Sequence, residues 1–104
     1  MDDELTVYAV TMLNHAFRDL DGIYDYIAKT LMEPSVALNI VDEIETAILS
    51  LDIIPHRCPE RKIGAYAGHG YRQLFVGNYT VLFRIDEDSK LVIMITVRYS
   101  SSQF

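Results

Sequence analysis

The sequence predicts an α+β domain: an N-terminal strand, an antiparallel helical hairpin, and a small, mainly antiparallel sheet whose C-terminal strands form a meander. Two apolar stripes at helical spacing between Asn14 and Leu51, followed by period-two alternation from Leu74 to Tyr99, carry that prediction. At 104 residues, half of them apolar, the chain fits one domain over 1–104 with a single core.

Leu5 to Met12 is rich in β-branched and aromatic residues, and predicts the first strand. Asn14 is placed to cap a helix in which Ala16, Leu20, Ile23, Tyr24, Ile27 and Leu31 share a stripe. Glu33-Pro34 breaks it, because proline suits a first helical turn and disfavours helical geometry in the residue before it. The second helix carries Ala37, Ile40, Val41, Ile44, Ala47, Ile48 and Leu51 on one face, and Pro55 ends it. From His56 to Gly70 the chain is irregular and holds Arg57, Arg61 and Lys62. Gly77-Asn78 then predicts a two-residue hairpin turn, and Asp86 to Lys90 a second turn before the last strand. The helix stripes need an apolar partner, and one face of the meander supplies it.

Charge is uneven. Residues 1–52 hold two basic against eleven acidic side chains, a net −9, whereas 53–104 hold seven against four, a net +3. A surface for an anionic partner therefore belongs to the back half. The acidic start, the lack of a signal-like segment and the lack of an apolar run of about 18 residues predict a soluble, cytoplasmic protein without a membrane anchor. One cysteine and three scattered histidines give no metal-ligand spacing, so no metal or other cofactor is expected. Cys58 stands near Arg57 and Arg61, which would lower its pKa, but reads as an incidental thiol.

The hairpin register assigns faces. Arg72, Leu74 and Val76 pair with Phe83, Val81 and Tyr79 on the core side. The other side then carries Tyr71, Gln73, Phe75, Thr80, Leu82 and Arg84, with Val92, Met94, Thr96 and Arg98 from the last strand. Arg84, Arg98 and Tyr71 become candidates for contact with a target or partner, joined by Arg57 and Arg61 in the loop and by Tyr99 at the sheet end. Phe75, Leu82, Val92 and Met94 form the apolar part of that face, a surface for a partner segment or a second copy of the chain.

This order of elements, together with the run from Gly70 to Asp86, resembles the RelE/ParE superfamily of bacterial type II toxins. Leu51-x-x-x-Pro55-x-Arg57-x-Pro59, Arg72-x-Leu74-x-Val76-x-Asn78-Tyr79-x-Val81-x-Phe83 and Val97-Arg98-Tyr99 look like its ParE-leaning, plasmid-stabilisation branch. The resemblance implies a growth-inhibiting toxin neutralised by a cognate antitoxin. In that superfamily one branch cuts mRNA on the ribosome and another poisons DNA gyrase without a catalytic apparatus of its own. By the resemblance, the ribonuclease branch's basic positions fall on Tyr71, Gln73, Thr80 and the Ser100–Ser102 stretch, none of them basic. Losing one charge-stabilising donor typically costs about 10²–10³ in rate. The resemblance thus implies gyrase inhibition and no confident catalytic residue. A ribosome-dependent endonuclease, or an attenuated toxin that only binds antitoxin, is the alternative, the latter because Tyr99 is followed by serines where that branch has basic residues.

Overall fold

A computed structural model describes residues 5–104; the acidic start lies outside them. Strand β1 (Ala9–Met12) leads into helix α1 (Asn14–Asp25), which ends in a π-helical turn (Tyr26–Thr30) before helix α2 (Pro34–Leu49). Short 3-10 turns at Ser50–Asp52 and Pro55–Arg57 follow, and then strands β2 (Arg72–Val76), β3 (Tyr79–Asp86) and β4 (Leu91–Tyr99). The four strands form one sheet in the order β1-β4-β3-β2, with β1 parallel to β4 and the rest antiparallel.

The helical hairpin packs on one face of this sheet, as expected from its stripes. Ala16 and Leu20 of α1, Ile44 and Ile48 of α2, and Leu51 form one core with Val81, Phe83, Val92, Met94 and Val97. Burial of those apolar faces is the main force holding helices to sheet. Pro34 opens α2 at its first turn, where its missing N–H costs nothing.

Three local expectations need correction. The first strand is shorter than Leu5–Met12, because only Ala9–Met12 pairs with β4, while Val7 makes an isolated bridge to Ile53. Asn14 is the first helical residue rather than the cap; Leu13 takes that place, and no side chain caps the helix. The third correction matters most. A β-bulge interrupts the β3–β4 ladder after the Leu82–Thr96 pair, so that Phe83 pairs with Met94 and Ile85 with Val92. One extra residue in a strand reverses which side its neighbours face. Val92 and Met94 therefore turn into the core, both fully buried, and are not part of an outward apolar surface.

The irregular stretch after α2 is laid along the free edge of β2. The Arg61 N–H donates to the Tyr71 carbonyl (2.7 Å) and the Gln73 N–H to the Pro59 carbonyl (2.9 Å). Arg72 Nη1 donates to the carbonyls of Cys58 (2.7 Å) and His56 (3.3 Å), the structural edge role expected of it.

Met94→Ala tests the bulge. A buried methionine in a helix–sheet core loses about 2–5 kcal/mol on truncation, against about 0.5 kcal/mol or less for a solvent-facing one. Urea unfolding of the variant should give the larger loss, and Phe75→Ala, on the outer face, the smaller.

Candidate functional site

Turn geometry builds the first candidate surface. With Arg72, Leu74 and Val76 paired to Phe83, Val81 and Tyr79, the side chains of Gln73, Phe75, Thr80, Leu82 and Arg84 alternate onto the face away from the helices. Arg98 pairs with Thr80 and joins them. The middle of this face is not open: Thr80, Leu82 and Thr96 are each no more than 1% exposed. Of the four apolar residues assigned to it, Phe75 alone is exposed, at 59%.

Beside Phe75 runs a groove of about 510 Å³ lined by Arg61, Lys62, Gln73, Thr80 and the terminal stretch from Ser100 to Phe104. Arg61 is its centre. Only 8% exposed, it donates from Nε to the Ile63 carbonyl (3.0 Å), from Nη1 to Gln73 Oε1 (3.1 Å) and from Nη2 to the Phe104 main-chain oxygen (3.0 Å). Its guanidinium also lies 4.2 Å from the centre of the Phe104 ring, and that of Arg98 lies 5.7 Å from the same ring. Arg61 and Arg98 are thus brought together. Arg98 is further steadied by a 3.0 Å hydrogen bond from its Nε to Thr96 Oγ1.

The other candidates part company. Arg57 bends back to the end of α2, donating to the carbonyls of Ile53 (2.7 Å) and Ile54 (3.0 Å) and to Ser50 Oγ (3.0 Å). Those bonds hold Ile54 in a left-handed conformation (φ 48°) that β-branched residues avoid, so Arg57 acts on the backbone. Tyr71 sits in an aromatic cluster with Tyr66 and His69, at ring-centre distances of 5.4 and 6.4 Å. Arg84 is exposed and, among the described residues, forms no ion pair. Tyr99 pairs with Tyr79, on the opposite face from Arg98, and their rings meet edge to face at 5.6 Å. Cys58 is buried, and burial pushes its thiol pKa up against the opposing pull of Arg57 and Arg72, the reverse of the expected lowering.

Tyr99 instead opens onto a second, apolar groove of about 740 Å³, which the sequence reading missed. It lies between α1, the π-helical turn and the start of α2, lined by Ile23, Tyr26, Leu31, Val36, Ile40 and Tyr79. The π turn rotates the helix out of the 3.6-residue phase used to assign its faces, which leaves Tyr26 and Leu31 more than half exposed. Asp19 closes one wall, its carboxylate accepting the Val97 N–H (3.0 Å) and the Thr96 hydroxyl.

A third polar cluster sits at the far end of the sheet. Glu87 accepts the Tyr8 hydroxyl (3.0 and 3.1 Å) and Lys90 Nζ (3.0 Å), and meets His56 Nε2. Each donor comes from a different part of the chain, so Glu87 ties the β3–β4 turn to the loop and to the segment before β1. Lys90 first, then Tyr8 and His56, hold its carboxyl below the usual glutamate range. A carboxylate with a depressed folded-state pKa adds stability above its unfolded value, and that stability is lost as pH falls through the folded one. The Tm of the protein should therefore fall as pH drops below about 4.3, and Glu87→Gln should lower Tm at pH 7 while flattening that dependence. Thermal melts across pH 3–7 check both.

Among the described residues, no three His, Cys, Asp or Glu side chains gather as metal ligands, and no helix is long and apolar enough to cross a membrane. The sheet face presents guanidinium groups and aromatic rings with no carboxylate or imidazole hydrogen-bonded to them, an arrangement fitted to binding rather than proton transfer.

Known structures share this architecture. A chain of the chromosomal ParDE toxin–antitoxin system from P. aeruginosa is similar with a TM-score of 0.74 and 22% identity, covering 90% of this chain and 97% of that one. The toxin–antitoxin complex RelBE2 from Mycobacterium tuberculosis is similar with a TM-score of 0.64 and 24% identity, over 97% of this chain and 100% of that one. Comparison with curated proteins gives no significant match. The family model for the ParE toxin of the type II toxin–antitoxin system parDE matches residues 10–104, and the chain belongs to that family.

Proposed function

We propose that this toxin arrests growth in the bacterial cytoplasm by binding DNA gyrase, and that its antitoxin releases the arrest by filling the apolar groove beside Tyr99. The arrangement of Arg61 carries the first half. Its donors are committed to three main-chain or amide oxygens, and no general base stands within hydrogen-bond reach of Arg84 or Arg98. Cleavage of RNA by attack of a ribose hydroxyl needs a base and an acid as well as charge stabilisation. A protein-contacting inhibitor needs neither.

The groove supports the second half. Tyr26, Leu31 and Val36 on its walls are 57%, 51% and 43% exposed, an apolar patch of the kind that an amphipathic partner helix covers. Partner binding moves to this groove from the sheet face that the alternation pattern assigned to it.

Purified protein should inhibit supercoiling by DNA gyrase and leave mRNA on programmed ribosomes uncut. The opposite pair of results would falsify the gyrase assignment, and inertness in both assays would mark an attenuated toxin. Gly22 offers a test of the groove, because a Cβ added there meets nothing within 4 Å. Gly22→Ala should stabilise α1 by up to about 1 kcal/mol and remain neutralised by co-expressed antitoxin. Gly22→Trp should fold, stay toxic and escape neutralisation, read as growth arrest in the presence of antitoxin.

A further inference from the structure

Arg61 presents a physical problem that the functions above do not use. A guanidinium this deeply buried is ordinarily paired with an anion, yet its side-chain partner is the neutral amide of Gln73. What completes its surroundings is the terminal stretch. The Phe104 main-chain oxygen takes one Nη2 hydrogen and the Phe104 ring lies over the guanidinium. Three further contacts lay this stretch along the sheet. The Ser100 N–H donates to the Asn78 carbonyl (2.7 Å), Ser100 Oγ bonds Thr80 Oγ1 (2.8 Å), and the Ser102 N–H donates to the Tyr99 carbonyl (2.9 Å).

The seat for Phe104 is shaped as well as charged. Gly64 has φ +77°, and a Cβ there would stand 1.8 Å from the Phe104 oxygen, so the backbone passes where no other residue fits. Arg61 and Lys62 line the groove and Arg98 borders the Phe104 ring, while no acidic side chain lines it, in a chain whose net charge is −6.

We infer that residues 101–104 are a self-docked strap, and that the groove beneath is a recognition site for an acidic peptide segment carrying an aromatic residue, which gains access when the strap leaves. The strap supplies the ring and the oxygen in cis; a partner supplies the same pair together with the negative charge that the site lacks. A guanidinium flanked by an aromatic seat and a lysine suits a carboxylate better than the amide-type oxygens it now holds. The strap therefore works as an internal competitor. If it is closed about nine-tenths of the time, it weakens apparent affinity about tenfold.

Two variants open the groove by different means. One ends the chain after Ser100; the other, Gly64→Ala in the full chain, evicts the Phe104 oxygen and leaves Arg61 in place. The probe is a fluorescein-labelled peptide, Glu-Asp-Glu-Phe, read by anisotropy, with a single-stranded RNA tetramer as the second arm and circular dichroism to confirm folding. Both variants should bind the peptide about tenfold or more tightly than the parent chain. Unlabelled Ser-Ser-Gln-Phe should compete, with its free acid and its amide compared to separate a terminal carboxylate from a peptide oxygen. Equal affinity of parent and opened variants, or no peptide binding by either variant, overturns the strap. Preferential RNA binding by the opened variants overturns the choice of ligand. If the truncated chain does not fold, Gly64→Ala alone decides. None of these outcomes depends on gyrase, since no arm measures toxicity.

Discussion

Strand β1 is four residues long and its neighbour β4 is nine, and much of the molecule follows from that mismatch. Parallel pairing covers Leu91 to Met94 and then stops, leaving the rest of β4 with main-chain groups that need partners. Asp19 provides one, reaching from α1 to the Val97 N–H and the Thr96 hydroxyl. An anchored carboxylate at an open strand edge does two things: it satisfies a donor, and it discourages indiscriminate pairing with other strands. It also fixes the distance between α1 and the sheet end, which is the width of the apolar groove.

The bulge in β4 lies just past the end of β1 pairing. Before it, Val92 and Met94 contribute to the core; beyond it, Val97 resumes that role while Thr96 and Arg98 face the other way. One strand thus serves two surfaces. Without the phase shift, Arg98 would fall among the helix contacts, where an unpaired guanidinium is costly, and the core would lose Val97. The shift also separates Tyr99 from Arg98, so that neighbours in sequence belong to opposite faces, one looking into the apolar groove and the other toward Arg61.

Most of the architecture was legible in the sequence because it rests on periodicity and turn chemistry. Pro34, Pro55 and Gly77-Asn78 punctuate the chain where elements end, and the β2–β3 register is the one that a two-residue turn imposes. The bulge was not legible. Leu91 to Tyr99 contains no glycine and alternates without interruption, so nothing local marks the extra residue, and Val92 and Met94 were placed on the wrong side. The π turn escaped for a similar reason, since Tyr26–Thr30 continues a good helical stripe while the backbone departs from its phase. Arg57 and Arg61 were recognisable as unusual in composition, but their tasks depend on carbonyls that only the folded loop brings within reach.

Arg61 shows why residue type matters at the centre of the groove. Its three donor nitrogens address the Ile63 carbonyl, the Gln73 amide and the Phe104 oxygen, three acceptors from three separate segments, while its flat face receives the Phe104 ring. A lysine at this position would offer one compact, strongly hydrated charge and could not span the three acceptors or present a plane to the ring. The fork geometry lets a positive charge remain buried on neutral partners alone, held by several hydrogen bonds rather than by one ion pair. Such a charge stays available for an anion. The acidic residues Asp42, Glu43 and Glu45 lie exposed on α2, in a helix packed on the other side of the sheet, so the long-range field of the chain is negative while this groove is not. A partner is therefore selected at short range, by a seat that fits a ring and an oxygen together, and not by attraction to the molecule as a whole.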